Sequence, residues 1–411
     1  MNFIADFHIH SRYSRATSKD CCPEKLDLGA RTKGIDVVGT GDFTHPEWRK
    51  ELKEKLKQGD DGLYSLKDQF REKNGINDKN VRFIISGEIS SIYKKNGKTR
   101  KVHNVIMLPD LDAAERLSKK LEAIGNVHSD GRPILGLDSR ILLEITLQAC
   151  PKALFIPAHI WTPHFSVFGS NSGFDHIEEC FEDLTGHIYA LETGLSSDPP
   201  MNWRLSMLDR FALVSNSDAH SPGNLAREAN IFNTALSYES IYAALKNNDR
   251  KAFVGTIEFF PEEGKYHLDG HRNCNVQWEP SRTRAASGLC PVCRKKLTIG
   301  VLHRVEELAD RKENFVPPHA RTYERTIPLA QVLGACVGTG AASKKVAEKY
   351  RLMLAALGPE LSILREVSIV DIKACAGERI AEGIRRVRAG ELFISAGYDG
   401  EYGKIKIFNK A

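Results

Sequence analysis

Two histidines, His8 and His10, stand one residue apart just beyond a short apolar run, Asn2-Phe3-Ile4-Ala5-Asp6-Phe7. On extended backbone, side chains at i and i+2 leave the same face, so both imidazoles can enter one site. The arrangement then recurs. Gly34-Ile35-Asp36-Val37-Val38 leads to Asp42, and Val81-Arg82-Phe83-Ile84-Ile85 leads to Glu88. Ala153-Leu154-Phe155-Ile156-Pro157 leads to His159, Gly186-His187-Ile188-Tyr189-Ala190-Leu191 to Glu192, and Phe211-Ala212-Leu213-Val214 to Asp218 and His220. Neutral imidazole combined with carboxylate suits Zn²⁺, Mn²⁺ or Fe²⁺. His8, His10, Glu88 and Asp218 are expected to make one site, and Glu88, His103 and His159 a second. A carboxylate shared in this way holds two ions about 3.5–4 Å apart, the spacing that clamps both sides of a phosphoryl displacement. Asp42, Glu192 and His220 are expected to complete or support the catalytic group. His45, His128, His164 and His176 read as solvated or supporting side chains.

Runs of this length and composition read as buried parallel strands. Helical stretches separate several of them, at Pro46 to Leu56, Asp110 to Ile124 and Asp138 to Ala149. Repeated β-then-α units argue for a β/α barrel whose catalytic groups converge at the carboxyl ends of the strands. One connection differs. Asn96-Gly97 is a two-residue hairpin signal, and the hairpin around it carries Lys94, Lys95, Lys98, Arg100 and Lys101 and returns with His103 near Glu88. Those five cations are candidate contacts to a phosphate backbone.

Beyond residue 258 the texture changes. His271-x₂-Cys274 and Cys290-x₂-Cys293, fifteen residues apart, match the paired knuckles of one tetrahedral structural zinc. His267 or His303 could replace His271 as the fourth ligand. Between Arg272 and Lys296 there are six basic residues and one acid, Glu279. Such a positive lobe is the footprint of nucleic-acid binding, with Arg282, Arg284 and Lys295 as candidate contacts. From Val305 onward the chain reads as helical: Ile380, Ile384 and Val387 fall at i, i+4 and i+7, and Gly390 is a natural stop. Val337-Gly338-Thr339-Gly340 ahead of Ser343-Lys344-Lys345 fits either a phosphate cradle or a helix cap. The loop after His159 carries Trp161, Phe165 and Phe168, which could stack an extruded base or simply form local core.

The division expected is a metallo-phosphoesterase barrel over 1–258, a zinc-binding ribbon over 262–303, and a helical DNA-binding domain with a short tail over 304–411. The chain has 411 residues, 41% of them hydrophobic and 27% charged, with a net charge of +5. That composition belongs to a globular protein with an adequate core, and its mild basicity permits a polyanionic partner without demanding one. Met1-Asn2-Phe3-Ile4-Ala5-Asp6 has no basic n-region, and no run of about 18 apolar residues occurs, so neither a signal peptide nor a membrane partner is expected. Nine cysteines, of which three cluster as if for metal, read as reduced thiols of a cytoplasmic, nucleoid-associated protein.

The ligand set resembles the PHP (polymerase and histidinol phosphatase) superfamily. The matching stretches are His8-Ile9-His10-Ser11, Gly87-Glu88, the isolated His103 and His159, and Asp218-Ala219-His220. The resemblance implies a distorted β/α barrel that holds two or three divalent metals and hydrolyses phosphate esters. The chain departs from the superfamily in two places: Ser14-Arg15 stands where an aspartate is common, and Gly41-Asp42-Phe43 where a Thr-Asp-His triplet is common. Both missing groups belong to a third metal site. Two ions are therefore favoured, unless that site is rebuilt from Asp42, His220 and His45.

Over nearly its full length the chain is also similar to the endonuclease Q family of that superfamily. The similarity runs through Ala190-Leu191-Glu192-Thr193-Gly194, Ser215-Asn216-Ser217-Asp218-Ala219-His220-Ser221, Cys290-Pro291-Val292-Cys293 and Gly397-Tyr398-Asp399-Gly400. It implies incision of the phosphodiester 5′ of deaminated bases (uracil, hypoxanthine, xanthine) and of abasic sites, with the base flipped out. The partner implied is damaged double- or single-stranded DNA, and a repair or replication clamp is compatible with it. The cofactors expected are two or three catalytic metals (Zn, with Mn or Mg as alternatives) and one structural Zn. The alternatives are a small-molecule phosphatase of the histidinol-phosphate type, using the same metals, and a non-catalytic nucleic-acid-binding protein. A basic extension of about 150 residues argues against a small substrate.

Overall fold

The computed structural model describes residues 2–73 and 79–409. At its centre lies a mixed α/β core built on the apolar runs. The first strand, Asn2–Asp6, is parallel to Val37–Gly39, which is parallel to the long strand Arg82–Lys95. On its other side the first strand is antiparallel to Ala229–Asn233. That strand is antiparallel to Phe253–Glu258, which pairs in parallel with Thr322–Arg325. Beyond Arg82–Lys95, the strand Lys98–Leu108 runs antiparallel to it and then to Leu154–Pro157.

The ladder does not close into the continuous barrel that the β-then-α reading predicts. Ala190–Glu192 and Ala212–Val214 form a separate parallel pair. They are tied in by fewer contacts: Ile160 N–H donates to the Glu192 carbonyl at 3.1 Å, and at the other seam His10 N–H donates to the Ala219 carbonyl at 2.9 Å beside the side-chain amides of Asn216 and Asn230. Asn216 Oδ1 accepts from Phe7 N–H at 2.8 Å, while Asn230 Nδ2 donates to the Ser215 carbonyl at 2.7 Å and to Asn216 Oδ1 at 2.9 Å. These amides satisfy buried backbone groups that a ladder would otherwise pair. The expected strand at Gly186-His187-Ile188 is instead part of a 3₁₀ turn, Glu182–His187, and its exit. Gly186 and His187 are exposed, and a strand covered on both faces has no place for them.

The hairpin is as expected. Lys95 pairs with Lys98, and Asn96 and Gly97 both take positive φ, 53° and 74°, the geometry of a type I′ turn. The helices expected from 46, 110 and 138 are Pro46–Lys55, Leu111–Glu122 and Ser139–Ala149, and the last two are capped by the carboxylates of Asp110 and Asp138. Two apolar cores line the faces of the central sheet, one around Trp48, Phe83 and Trp161 and the other around Phe3, Phe7 and Phe232.

The C-terminal region is helical: Leu329–Val337, Lys344–Leu357, Glu360–Arg365, Ile369–Ala376 and Glu378–Ala389 enclose their own core around Leu333, Ile363 and Ile384. Gly390 ends the last helix with φ 68°. The chain from 304 onward is not wholly set apart, however. Thr322–Arg325 joins the central sheet, and Val305 packs into the first core. The cysteine segment has a small core of its own, Val276, Trp278, Cys290 and Leu297. No helix among the described residues is long and apolar enough to cross a membrane.

Candidate metal centre

The residues placed at strand ends converge on Glu88. His103 Nδ1 lies 2.7 Å and His159 Nε2 3.1 Å from Glu88 Oε1, while His10 Nε2 lies 3.5 Å from Oε2. His8 Nε2 stands 3.7 Å from both Glu88 Oε1 and Asp218 Oδ1, and His10 Nε2 is 3.1 Å from Asp218 Oδ1. Three overlapping trios result: His8, His10 and Glu88; Glu88, His103 and His159; and His10, Asp218 and His220. Two of the candidate ligands lie inside strands rather than at their ends. Glu88 is midway along Arg82–Lys95, and His103, on the antiparallel partner, faces Ser90. The pleat places Glu88 and His103 on one face as diagonal neighbours, so the hairpin, not a barrel rim, joins them.

Asp42 and Glu192 stand behind the imidazoles. Glu192 meets His8 Nδ1 at 3.0 Å and accepts from the His159 backbone N–H at 2.8 Å and from Asn216 Nδ2 at 2.9 Å. Asp42 meets His10 Nδ1 at 3.1 Å and accepts from the N–H and hydroxyl of Ser11, both at 2.6 Å. Each carboxylate fixes one ring nitrogen, so the opposite Nε2 points into the centre, the usual support for a metal-ligating histidine. His8 Nε2 has no hydrogen-bond partner there although it is buried. A buried, aimed and unpartnered imidazole nitrogen among carboxylates fits a divalent ion. Asp42, His159 and Asp218 all hold positive φ, at 50°, 29° and 47°, and such strain clusters at functional sites.

The electrostatics agree with this. Burial disfavours charge on Glu88, yet the charges of His103 and His8 hold it well below the usual carboxylate range. Asp218 is likewise lowered, burial being outweighed by its hydrogen bond with His10 and the charge of His8. Burial lowers His103 to about 4 despite Glu88. Burial opposes charge on His10, but Asp42 and then Asp218 raise it to about 9. Ions entering here displace protons. We expect Glu192→Gln and Asp42→Asn each to weaken metal affinity by roughly 10–100-fold, measured by competition with a chromogenic chelator; unaltered affinity in both would refute the orienting role.

Other expected residues are distributed less simply. Trp161 and Phe168 are fully buried, with Trp161 Nε1 donating to Asn202 Oδ1 at 2.8 Å, so neither is placed to stack a base. Phe165 is the aromatic beside the centre, 4.7 Å from the His103 ring. Lys95 is tied to Glu182 at 2.6 Å and to Asp138 at 3.3 Å. Arg100 is buried, donates to the Gly173 carbonyl and lies over Phe174. Lys94 and Lys98 are exposed, and Lys101 reaches over Phe165. Arg15 is 76% exposed and pairs with Asp130 at 3.4 Å. A cavity of about 600 Å³ opens next to the His159 loop, lined by Thr162, His164, Ser196, Glu263, Lys265 and Tyr266 among others.

The second cluster gathers His271, Cys274, Cys290 and Cys293, with His271 Nδ1 3.6 Å from Cys293 Sγ. His303 is instead engaged by Asp269 at 2.5 Å. Arg282 and Lys295 are exposed, while Arg284 pairs with Glu306 at 2.6 Å. One residue that reaches the cluster carries no sequence signal. Arg132 lies in a loop beyond any strand end, and its Nη1 donates to Glu88 Oε2 at 3.1 Å.

The mixed α/β core thus presents clustered imidazoles and carboxylates able to hold divalent ions. Two solved structures are similar over 99% of the chain at 31% identity: the lesion-specific endonuclease PfuEndoQ from Pyrococcus furiosus, with TM-score 0.86 over 95% of that chain, and an Endonuclease Q complex with a 27-mer duplex bearing an abasic lesion at the active site, with TM-score 0.84 over 96%. The chain belongs to the endonuclease Q family. Among curated proteins it is 31% identical to the uncharacterized protein YqxK of Bacillus subtilis across 98% of both chains. It is 33% identical to the uncharacterized protein MJ0043 of Methanocaldococcus jannaschii over 60% of this chain and 31% of that one. Residues 328–391 match the family described as the MJ0043 C-terminal domain.

Proposed function

We propose that the chain is a DNA repair endonuclease that hydrolyses the phosphodiester 5′ of a deaminated base (uracil, hypoxanthine or xanthine) or of an abasic site. The observation that carries this reading is the full-length likeness to an endonuclease Q held on a duplex with an abasic lesion at its active site, taken with the Glu88-centred cluster. His8, His10, Glu88, His103, His159 and Asp218 would hold two or three divalent ions, with His220 as a further ligand beside Asp218. Bound there, such ions supply Lewis acidity at the phosphoryl oxygens and lower the pKa of water. Asp42 and Glu192 orient His10 and His8. His271, Cys274, Cys290 and Cys293 would hold one structural zinc.

The flipped nucleotide is assigned to the cavity beside His159, whose size suits one nucleoside. Its polar wall of Ser196, Glu263, Lys265 and Tyr266 offers hydrogen-bonding groups to a base edge. Phe165 flanks the reacting phosphate, and Lys94, Lys98, Lys101, Arg282 and Lys295 meet backbone phosphates. The test compares duplexes with a single uracil, hypoxanthine or abasic site against undamaged duplex and simple phosphomonoesters, with Zn²⁺, Mn²⁺ or Mg²⁺ supplied. Nicking confined to the 5′ side of the lesions is expected. Turnover of the monoesters alone would overturn the reading in favour of a small-molecule phosphatase.

A further inference from the structure

We infer that Arg132 is a catalytic residue that binds a non-bridging oxygen of the reacting phosphodiester and stabilises the charge that grows there; the inference rests on the phosphoesterase reading above. The loop that carries it is built to deliver it. Asp130 Oδ1 accepts from the backbone N–H groups of Arg132 at 3.1 Å and Arg15 at 3.3 Å. Gly131 N–H donates to the Tyr13 carbonyl, and Pro133 accepts from Ser90 N–H, each at 3.0 Å. Gly131 is pressed so closely against the site that an added Cβ would meet Asp42 Oδ2 at 2.4 Å and Ser14 Oγ at 2.7 Å. Just beyond, Ile134–Leu135 pairs in parallel with Ser90 and Ser91. The loop is thus clamped on both sides of Arg132, next to the carboxylate shared by two of the trios.

The guanidinium is placed between that carboxylate and the mouth. Its side chain is 28% exposed while Glu88 beneath it is 0% exposed. Nη1 is taken by Glu88 Oε2, and the remaining N–H donors have no protein acceptor among the described residues. The positive charge of Arg132 thus stands at the mouth of the site, beside Glu88 and with Asp218 and Asp130 close by. A planar guanidinium with donors left over matches a phosphoryl oxygen. In the hydrolysis, a water oxygen bonds to phosphorus and one P–O ester bond breaks; the water gives up a proton and the departing sugar oxygen takes one up. Charge on the non-bridging oxygens rises on the way, and a preorganised donor aimed at it lowers the barrier.

The test uses the full chain with Arg132→Ala, Arg132→Gln and Arg132→Lys. Single-turnover cleavage of abasic-site duplex and hydrolysis of bis(p-nitrophenyl) phosphate are followed together with metal content and metal-free affinity for uncleaved DNA. The Ala and Gln variants should lose roughly 10²–10³-fold in rate on both substrates while keeping full metal content and DNA affinity within about threefold. Lys should recover part of the loss, and added guanidinium should rescue Ala at least tenfold. Rates that fall only in step with lost metal, or a loss that guanidinium does not repair, would show that Arg132 merely holds Glu88 and would overturn the inference. A wild-type chain that turns over the small diester but no DNA would sink the DNA reading, with Arg132 still judged on the small-diester rates.

Discussion

Glu88→Gln is expected to reduce phosphodiester cleavage by roughly four orders of magnitude or more, the scale seen when a unit of interdependent catalytic groups loses a central member. Among the described residues Glu88 is the one carboxylate that touches His103, His159, His10 and Arg132, so a single neutralisation removes the anionic group common to two trios. Glutamine keeps the shape of the side chain but not its charge, and a hard divalent ion loses its strongest oxygen donor. The residue is fully buried on a long paired strand, so its backbone pairing survives the change. Cleavage under single-turnover conditions and binding by fluorescence anisotropy separate the two effects: rate should collapse while affinity for uncleaved DNA stays within a few-fold. Activity within tenfold of wild type would remove Glu88 from the centre of the mechanism.

Cys290→Ser is expected to abolish one tightly held zinc equivalent and to unfold the segment between Asp269 and Leu297. The regular structure and apolar core within that segment are small. Its strands are three residues long, its helix Pro280–Ala285 has six residues, and its core has four buried members. Structural zinc contributes on the order of 10 kcal/mol or more to such small units, far beyond what a core of this size supplies. Limited proteolysis should cut the variant within this segment, while hydrolysis of bis(p-nitrophenyl) phosphate, which needs only the Glu88 centre, should persist. Wild-type zinc content and protease resistance in the variant would refute a structural metal at these four residues.

What the sequence determined by itself was that certain imidazoles and carboxylates would gather, and roughly where. His8-Ile9-His10 just past a strand, Glu88, and Asp218-Ala219-His220 could be read as candidate ligands because a short buried run ending in a polar residue is costly unless that residue is used. The hairpin at Asn96-Gly97 was legible because two successive positive-φ positions demand those residue types. The four zinc candidates were legible because knuckle spacing is local. Only the tertiary structure decided which carboxylates face the centre and which stand behind it. Asp42 and Glu192 differ from Glu88 in the imidazole nitrogen they meet, a matter of side-chain direction that no spacing encodes. It also decided that Trp161 and Phe168 are core while Phe165 is not, since burial depends on partners such as Asn202 that are distant in sequence. The breaks in the strand ladder were not legible for the same reason. The seams are bridged by Asn216 and Asn230, whose amides replace a ladder only when three strands from separate parts of the chain have met. Arg132 had no signature at all. Its place over Glu88 depends on a loop clamped from outside itself, against Tyr13, Arg15, Asp42 and Ser90.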